Sequence, residues 1–126
     1  MRRSRGFTLI ELLMVIVIIG ILVSVLIPRF ANSREKAFVT AMKSDLRNLA
    51  TAQESYYYDY SAYSSDVTLL AAFNATVGVS VTVNEASIGG WSASATSINT
   101  TRQCFLFVGN AAPVGAATQE GQVACN

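Results

Sequence analysis

The rhythm of apolar positions changes twice along this chain. From Phe7 to Ile27 the sequence FTLIELLMVIVIIGILVSVLI runs apolar for 21 residues with a single charge, Glu11. About 20 such residues span the hydrocarbon core of a bilayer as a helix. Residues 7–28 are therefore expected to form a transmembrane helix, with Pro28 and Arg29 at the membrane edge. From 29 to 57 the continuous run gives way to a helical period, in which Phe38, Met42, Leu46, Leu49 and Tyr56 recur at intervals of three, four and seven. These positions share one helical face, and that amphipathic half is expected to cover a sheet. Arg34, Lys36, Lys43, Arg47 and Glu54 fall mostly elsewhere, on a solvated face or a subunit contact.

Tyr56, Tyr57, Tyr58, Tyr60 and Tyr63, interrupted by Asp59, Ser61 and Ala62, are expected to break the helix and open a loop. Amphipathic tyrosines commonly seal a domain edge or an interface, a plainer use than sugar binding or electron hopping. Beyond the loop the period becomes two. Val77, Val79, Val81 and Val83 alternate with small or polar residues, and Trp91, Ala93, Ala95 and Ser97 begin a second alternating run after Gly89-Gly90. Further strands read Gln103 to Val108 and, briefly, Gln122 to Cys125. The expected fold class is α+β: a long N-terminal helix, one half membrane-spanning and one half amphipathic, packed on an antiparallel sheet of about three to four strands within residues 58–126.

Composition sharpens this picture. With 126 residues there is room for one small domain and none for a second, catalytic one. Charged residues make up 13% of the chain, against roughly 25% in an ordinary soluble domain. Among the nine basic residues, Arg2, Arg3 and Arg5 all precede the apolar run, so a chain starting at Phe7 keeps six basic side chains against eight acidic ones. No basic patch or nucleic-acid motif remains, and no direct nucleic-acid binding is expected. Cys104 and Cys125 fit no zinc spacing. In an exported domain a disulfide is the simpler reading and buried free thiols are the other. The bond would close the Gly109–Gly121 loop, worth about 3 kcal/mol by chain entropy.

The sequence has no histidine, the commonest general base and a frequent metal ligand, and no G-x-S-x-G, Walker A or H-E-x-x-H motif. No enzymatic activity and no cofactor are expected. A calcium ion could call only on main-chain carbonyls and isolated side chains such as Asp59, Asp66 or Glu120, so no metal site is assigned. Two N-x-T sequons, at Asn74 and Asn99, are weak signals. The sharp feature is Glu11, because an acidic side chain inside an apolar span is costly. Taken alone it could be a neutral or snorkelling group near a helix end.

Glu11 does not stand alone. It is preceded by the basic leader MRRSRG and Phe7-Thr8-Leu9-Ile10, and followed by Leu12-Leu13. Over Arg5 to Arg29 the chain closely resembles the type IV pilin family, type IVa-like prepilins and the related pseudopilins of type II secretion. Gln53 to Tyr63, QESYYYDYSAY, is similar to the end of the long helix and the following loop in bacterial pilins. The cysteine pair resembles the disulfide-closed C-terminal loop of many type IVa pilins. This resemblance implies removal of residues 1–6 by a prepilin peptidase that cleaves between Gly6 and Phe7, N-methylation of Phe7, and a filament with the helices bundled in its core. Gly20 and Pro28 sit where many pilins have helix-weakening residues. Pro28 lacks the donor for Ser24 and Gly20 adds backbone entropy, so weakening between them is expected in the filament.

The resulting expectation is a structural subunit of a type IV pilus-like extracellular filament, polymerising with itself and served by a prepilin peptidase and methylase and by pilus or secretion assembly machinery. A pseudopilin or minor pilin of a type II secretion or DNA-uptake machine is the alternative. A secreted soluble binding domain, cut at Ala31-Asn32-Ser33, is remote because the apolar run exceeds the usual signal-peptide core and contains Glu11. Before assembly the subunit is expected in the inner membrane, single-pass with its N-terminus cytoplasmic, and afterwards on the cell surface. That orientation follows from the resemblance, since Arg29, Arg34 and Lys36 follow the span just as three arginines precede it. Glu11 is expected to pair with the Phe7 amine of a neighbouring subunit, or with its own, about 6 Å away along the helix.

Overall fold

The computed structural model describes residues 6–126, and the expected leader, apart from Gly6, lies outside the described residues. Its first element, α1, is one helix of 52 residues, Leu9–Tyr60. The apolar run and the amphipathic stretch are thus continuous in secondary structure. The helix ends three residues beyond the expected boundary at Tyr57, because Tyr56 to Tyr60 stay helical and their rings stack along the helix. Ser61, at φ 55°, then turns the chain. Gly20 and Pro28 both lie inside α1. Near the proline, Ser24 Oγ donates to the Ile21 carbonyl at 2.7 Å and Ser33 Oγ to the Arg29 carbonyl at 2.9 Å, so hydroxyls supply hydrogen bonds to the main chain on both sides of the ring.

The chain divides after Arg34 into two compact units. In the first, every large apolar side chain from Phe7 to Phe30 is exposed, by 42% to 84%. The second, Glu35–Asn126, has a three-layered core. Four antiparallel strands follow one another in sequence order across the sheet: β1 Val79–Ala86, β2 Gly90–Ser97, β3 Thr100–Gly109 and β4 Ala124–Cys125. β1 begins two residues later than the valine alternation suggests, because Val77 and Gly78 form the approach to it and Gly78 has φ 85°. Val79 pairs with Ser97, Ala93 with Leu106, and Cys104 with Cys125. Ile98 and Asn99 alone join the paired residues Ser97 and Thr100, a two-residue hairpin loop.

Period-two alternation then decides which residues meet. Trp91, Ala93, Ala95, Cys104 and Leu106 face α1, where Met42, Leu46 and Leu49 are fully buried against them. Val39 is buried and Phe38 only partly so, so the expected stripe differs at its first position alone. On the opposite face of β3, Phe105 and Phe107 are covered by Ala111, Ala117 and their neighbours from the loop before β4. Small residues let that loop lie flat on the rings. At Gly115, φ is 54° and an added Cβ would sit 2.5 Å from the Phe105 ring, so the loop's approach requires glycine. The Cys104–Cys125 disulfide is present and ties the far end of this loop to the sheet.

Two polar residues of α1, both unexpected on a buried face, hold residues 61–78 in place. Gln53, 0% exposed, donates Nε2 to the Ser64 carbonyl at 2.7 Å and accepts from the Ser64 N–H at 2.9 Å. Asp45, 2% exposed, accepts from the Thr76 N–H at 2.8 Å and from Thr76 Oγ1 at 2.9 Å. Buried polar groups are tolerated when hydrogen-bonded in this way.

Candidate functional site: the apolar helix and its N-terminal cap

Helix α1 starts where Thr8 supplies a cap. The first amides of a helix have no intrahelical acceptor, and a Ser or Thr followed three residues later by Glu satisfies two of them reciprocally. Thr8 and Glu11 do this here. The Thr8 N–H donates to Glu11 Oε2 at 2.8 Å, Thr8 Oγ1 donates to the same oxygen at 2.7 Å, and the Glu11 N–H donates to Thr8 Oγ1 at 3.3 Å. The carboxylate in the apolar span is therefore engaged by its own helix start. The signal was present in the sequence, as T-x-x-E ahead of an apolar run, behind the more conspicuous FTLIE.

Phe7, 80% exposed, lies just before this cap, and its nitrogen is an amide. Phe7, Thr8 and Glu11 are thus gathered about the first turn, with Gly6 exposed immediately before them. Gly20 and Pro28 lie further along the helix, and an added Cβ at Gly20 would meet nothing within 4 Å. The helix is long and apolar enough to cross a membrane, with a mean hydropathy of 3.1 over its most apolar window, none of which is buried.

The scattered acids are placed separately. Asp66 caps the short 3-10 turn Val67–Leu69 through the Thr68 N–H and hydroxyl, and these two donors hold its pKa below the usual carboxylate value. Glu120 accepts from the Gly109 N–H at 2.7 Å, and Asp59 lines a cavity at the end of α1. Among the described residues no group of three or more His, Cys, Asp or Glu side chains is arranged to hold a metal ion. Tyr63 donates to Glu54 Oε1 at 3.0 Å. Its burial first, and then the Glu54 carboxylate, raise its pKa. Of the two sequons, Thr76 is engaged by Asp45, while Asn99 is exposed in the β2–β3 loop.

Comparison with known proteins points to the same end of the chain. Residues 1–27 match the prokaryotic N-terminal methylation motif. The chain is 44% identical over 62 residues to the type IV major pilin protein PilA of Myxococcus xanthus, covering 49% of this chain and 28% of that one. It is 46% identical over 66 residues to the type IV wide pilus major component PilA4 of Thermus thermophilus, covering 52% and 50%. It is also 41% identical over 64 residues to the type II secretion system core protein G of Pseudomonas aeruginosa, covering 51% and 45%. The chain thus spans half or less of the length of these relatives. Over about half of its length, beginning with the matched motif, the chain is thus similar to type IV pilins and to the core protein G of type II secretion.

Proposed function

We propose that this chain is a structural, non-enzymatic subunit of a type IV pilus-like filament, which polymerises with copies of itself through residues 7–28. The observation that carries this reading is the helix of exposed apolar residues that opens on the Thr8–Glu11 cap and follows directly on the matched motif. An apolar surface of this length needs lipid or other copies of itself to cover it. Before assembly it is held in the inner membrane, single-pass with a cytoplasmic N-terminus. A prepilin peptidase cuts between Gly6 and Phe7 and the new amine is methylated. Pilus or secretion machinery then moves the subunit into an extracellular filament, in which Glu11 pairs with a Phe7 amine and α1 weakens between Gly20 and Pro28.

Mass spectrometry of the native N-terminus, combined with imaging of sheared filaments whose subunits are identified, tests the proposal. A methylated Phe7 in surface filaments is expected, whereas a chain beginning at Arg34 and free in the medium would overturn it. The likeness to core protein G supports a second reading as a secretion pseudopilin. In that case the subunit would be needed for protein secretion and be missing from native surface filaments.

A further inference from the structure

Residues 61–78 leave an open cavity beside the last turns of α1. It measures about 190 Å³ and is bounded by Ser55, Tyr56, Asp59 and Tyr60 on the helix and by Leu69–Ala72 across from it. Tyr56 and Tyr60 stack with centroids 4.4 Å apart and an interplanar angle of 28°, giving one aromatic wall. Tyr60 is 66% exposed, and Asp59 brings a carboxylate to the same space. An aromatic face beside a carboxylate suits an organic cation: the ring quadrupole attracts the charge, and a guanidinium both stacks on a ring and bonds a carboxylate.

The charges of α1 indicate where that cation comes from. Beyond the span, the other acidic side chains of the helix already have partners. Glu35 accepts from Thr100 Oγ1 at 3.2 Å, Asp45 from Thr76 and Glu54 from Tyr63, which leaves Asp59 to the cavity. Five of the six basic residues that follow Phe7 are Arg29, Arg34, Lys36, Lys43 and Arg47, all earlier on the same helix and all but the half-buried Lys43 exposed. Even Arg47 is twelve residues before Asp59, about 18 Å of helical rise, beyond the reach of its own side chain. A second copy running parallel, and displaced by about that rise or more toward the Asp59 end, would bring its basic stretch to the cavity.

We propose that this cavity receives an arginine or lysine side chain from the Arg29–Arg47 stretch of a second copy of the chain, so that charge complementarity sets the stagger of neighbouring subunits. This deepens the filament reading above and rests on it. The test uses the full chain, with Asp59→Arg as the first variant. The sheared filament fraction is expected to fall about tenfold or more, because like charges brought together at an interface repel strongly. Membrane level and Trp91 emission should stay at wild-type values. Combining Asp59→Arg with one of Arg29→Asp, Arg34→Asp, Lys36→Asp, Lys43→Asp or Arg47→Asp should restore the yield to within about twofold and so identify the donor. Normal yield from Asp59→Arg overturns the proposal, as does a loss that none of the five reversals repairs. If Asp59→Arg alters Trp91 emission, the double variant Asp59→Asn with Tyr60→Leu replaces it, and an undiminished yield from that pair overturns the proposal equally. Wild-type chain that enters no filament counts instead against the filament reading itself.

Discussion

Replacing Gln53 should unfasten residues 61–78 from α1 at a cost that the geometry bounds. Its amide makes two hydrogen bonds, at 2.7 and 2.9 Å, to the carbonyl and N–H of one residue, Ser64, which is itself only 5% exposed. Gln53→Met keeps the length of the side chain and removes both partners. It strands two buried main-chain groups at about 1–3 kcal/mol each, or about 2–6 kcal/mol together, a large part of the roughly 5–15 kcal/mol that holds a domain folded. Gln53→Ala opens space in which a water can satisfy Ser64, so it should cost less than the methionine variant despite removing more atoms. The single tryptophan, Trp91, is fully buried in the core cluster that includes Leu49 and Ala52 of the same helix turns. Urea titration of detergent-solubilised chain, followed by Trp91 fluorescence, therefore reads this unit without interference from the apolar helix. A loss below about 0.5 kcal/mol for Gln53→Met, within the range of ordinary surface substitutions, would refute the clamp. An alanine variant less stable than the methionine one would show that packing, and not hydrogen bonding, is what Gln53 supplies.

The same titration checks three other expectations. Leu46→Ala, at a fully buried position between helix and sheet, should cost about 2–5 kcal/mol. Gly115→Ala should cost more than Gly121→Ala, since both glycines have positive φ but only the Cβ added at Gly115 meets the Phe105 ring; equal losses would mean that the loop yields at the ring. The folded-state pKa of Asp66 is depressed by its bonds to Thr68, so its contribution is present above the unfolded value of about 3.9 and is lost as pH falls through the lower folded value. The stability gap between wild type and Asp66→Ala should accordingly be steady near pH 7 and close on acidification below about pH 4.

Long-range hydrophobic rhythm was the most legible part of the fold. The apolar run, the Met42–Leu46–Leu49 stripe and the strand alternation through Trp91, Ala93 and Ala95 each show in the sequence because burial repeats at the period of the element. Asp45 and Gln53 were not legible as clamps, because a polar residue on a helix reads as solvent-facing until its partner is known, and their partners Thr76 and Ser64 lie in the following loop. The third layer was missed for a related reason. An Ala- and Gly-rich stretch such as residues 109–121 has no period, and only the structure shows those small side chains lying against Phe105 and Phe107. At the candidate site, Glu11 stands out in the sequence by its cost in an apolar run, while its cap needed the local reading of Thr8 as a helix start.

That cap bears on the proposed pairing of Glu11. With Thr8 donating from both its N–H and its hydroxyl to one carboxylate oxygen, the glutamate side chain is folded back toward the helix start, the end at which cleavage after Gly6 would leave the Phe7 amine. The side chain is thereby preorganised, so less conformational freedom remains to be lost when a neighbouring amine, or its own, arrives. Thr8→Val removes the hydroxyl and keeps the bulk and the apolar character, and it should leave membrane insertion intact. It should lower the ratio of sheared filament to membrane pool severalfold, and Glu11→Ala, which removes the carboxylate altogether, should lower it further. Thr8→Ser, which retains the hydroxyl, should restore the ratio. A Thr8→Val chain that assembles like wild type would show that the cap belongs to the uncut chain alone and that Glu11 finds its partner without it.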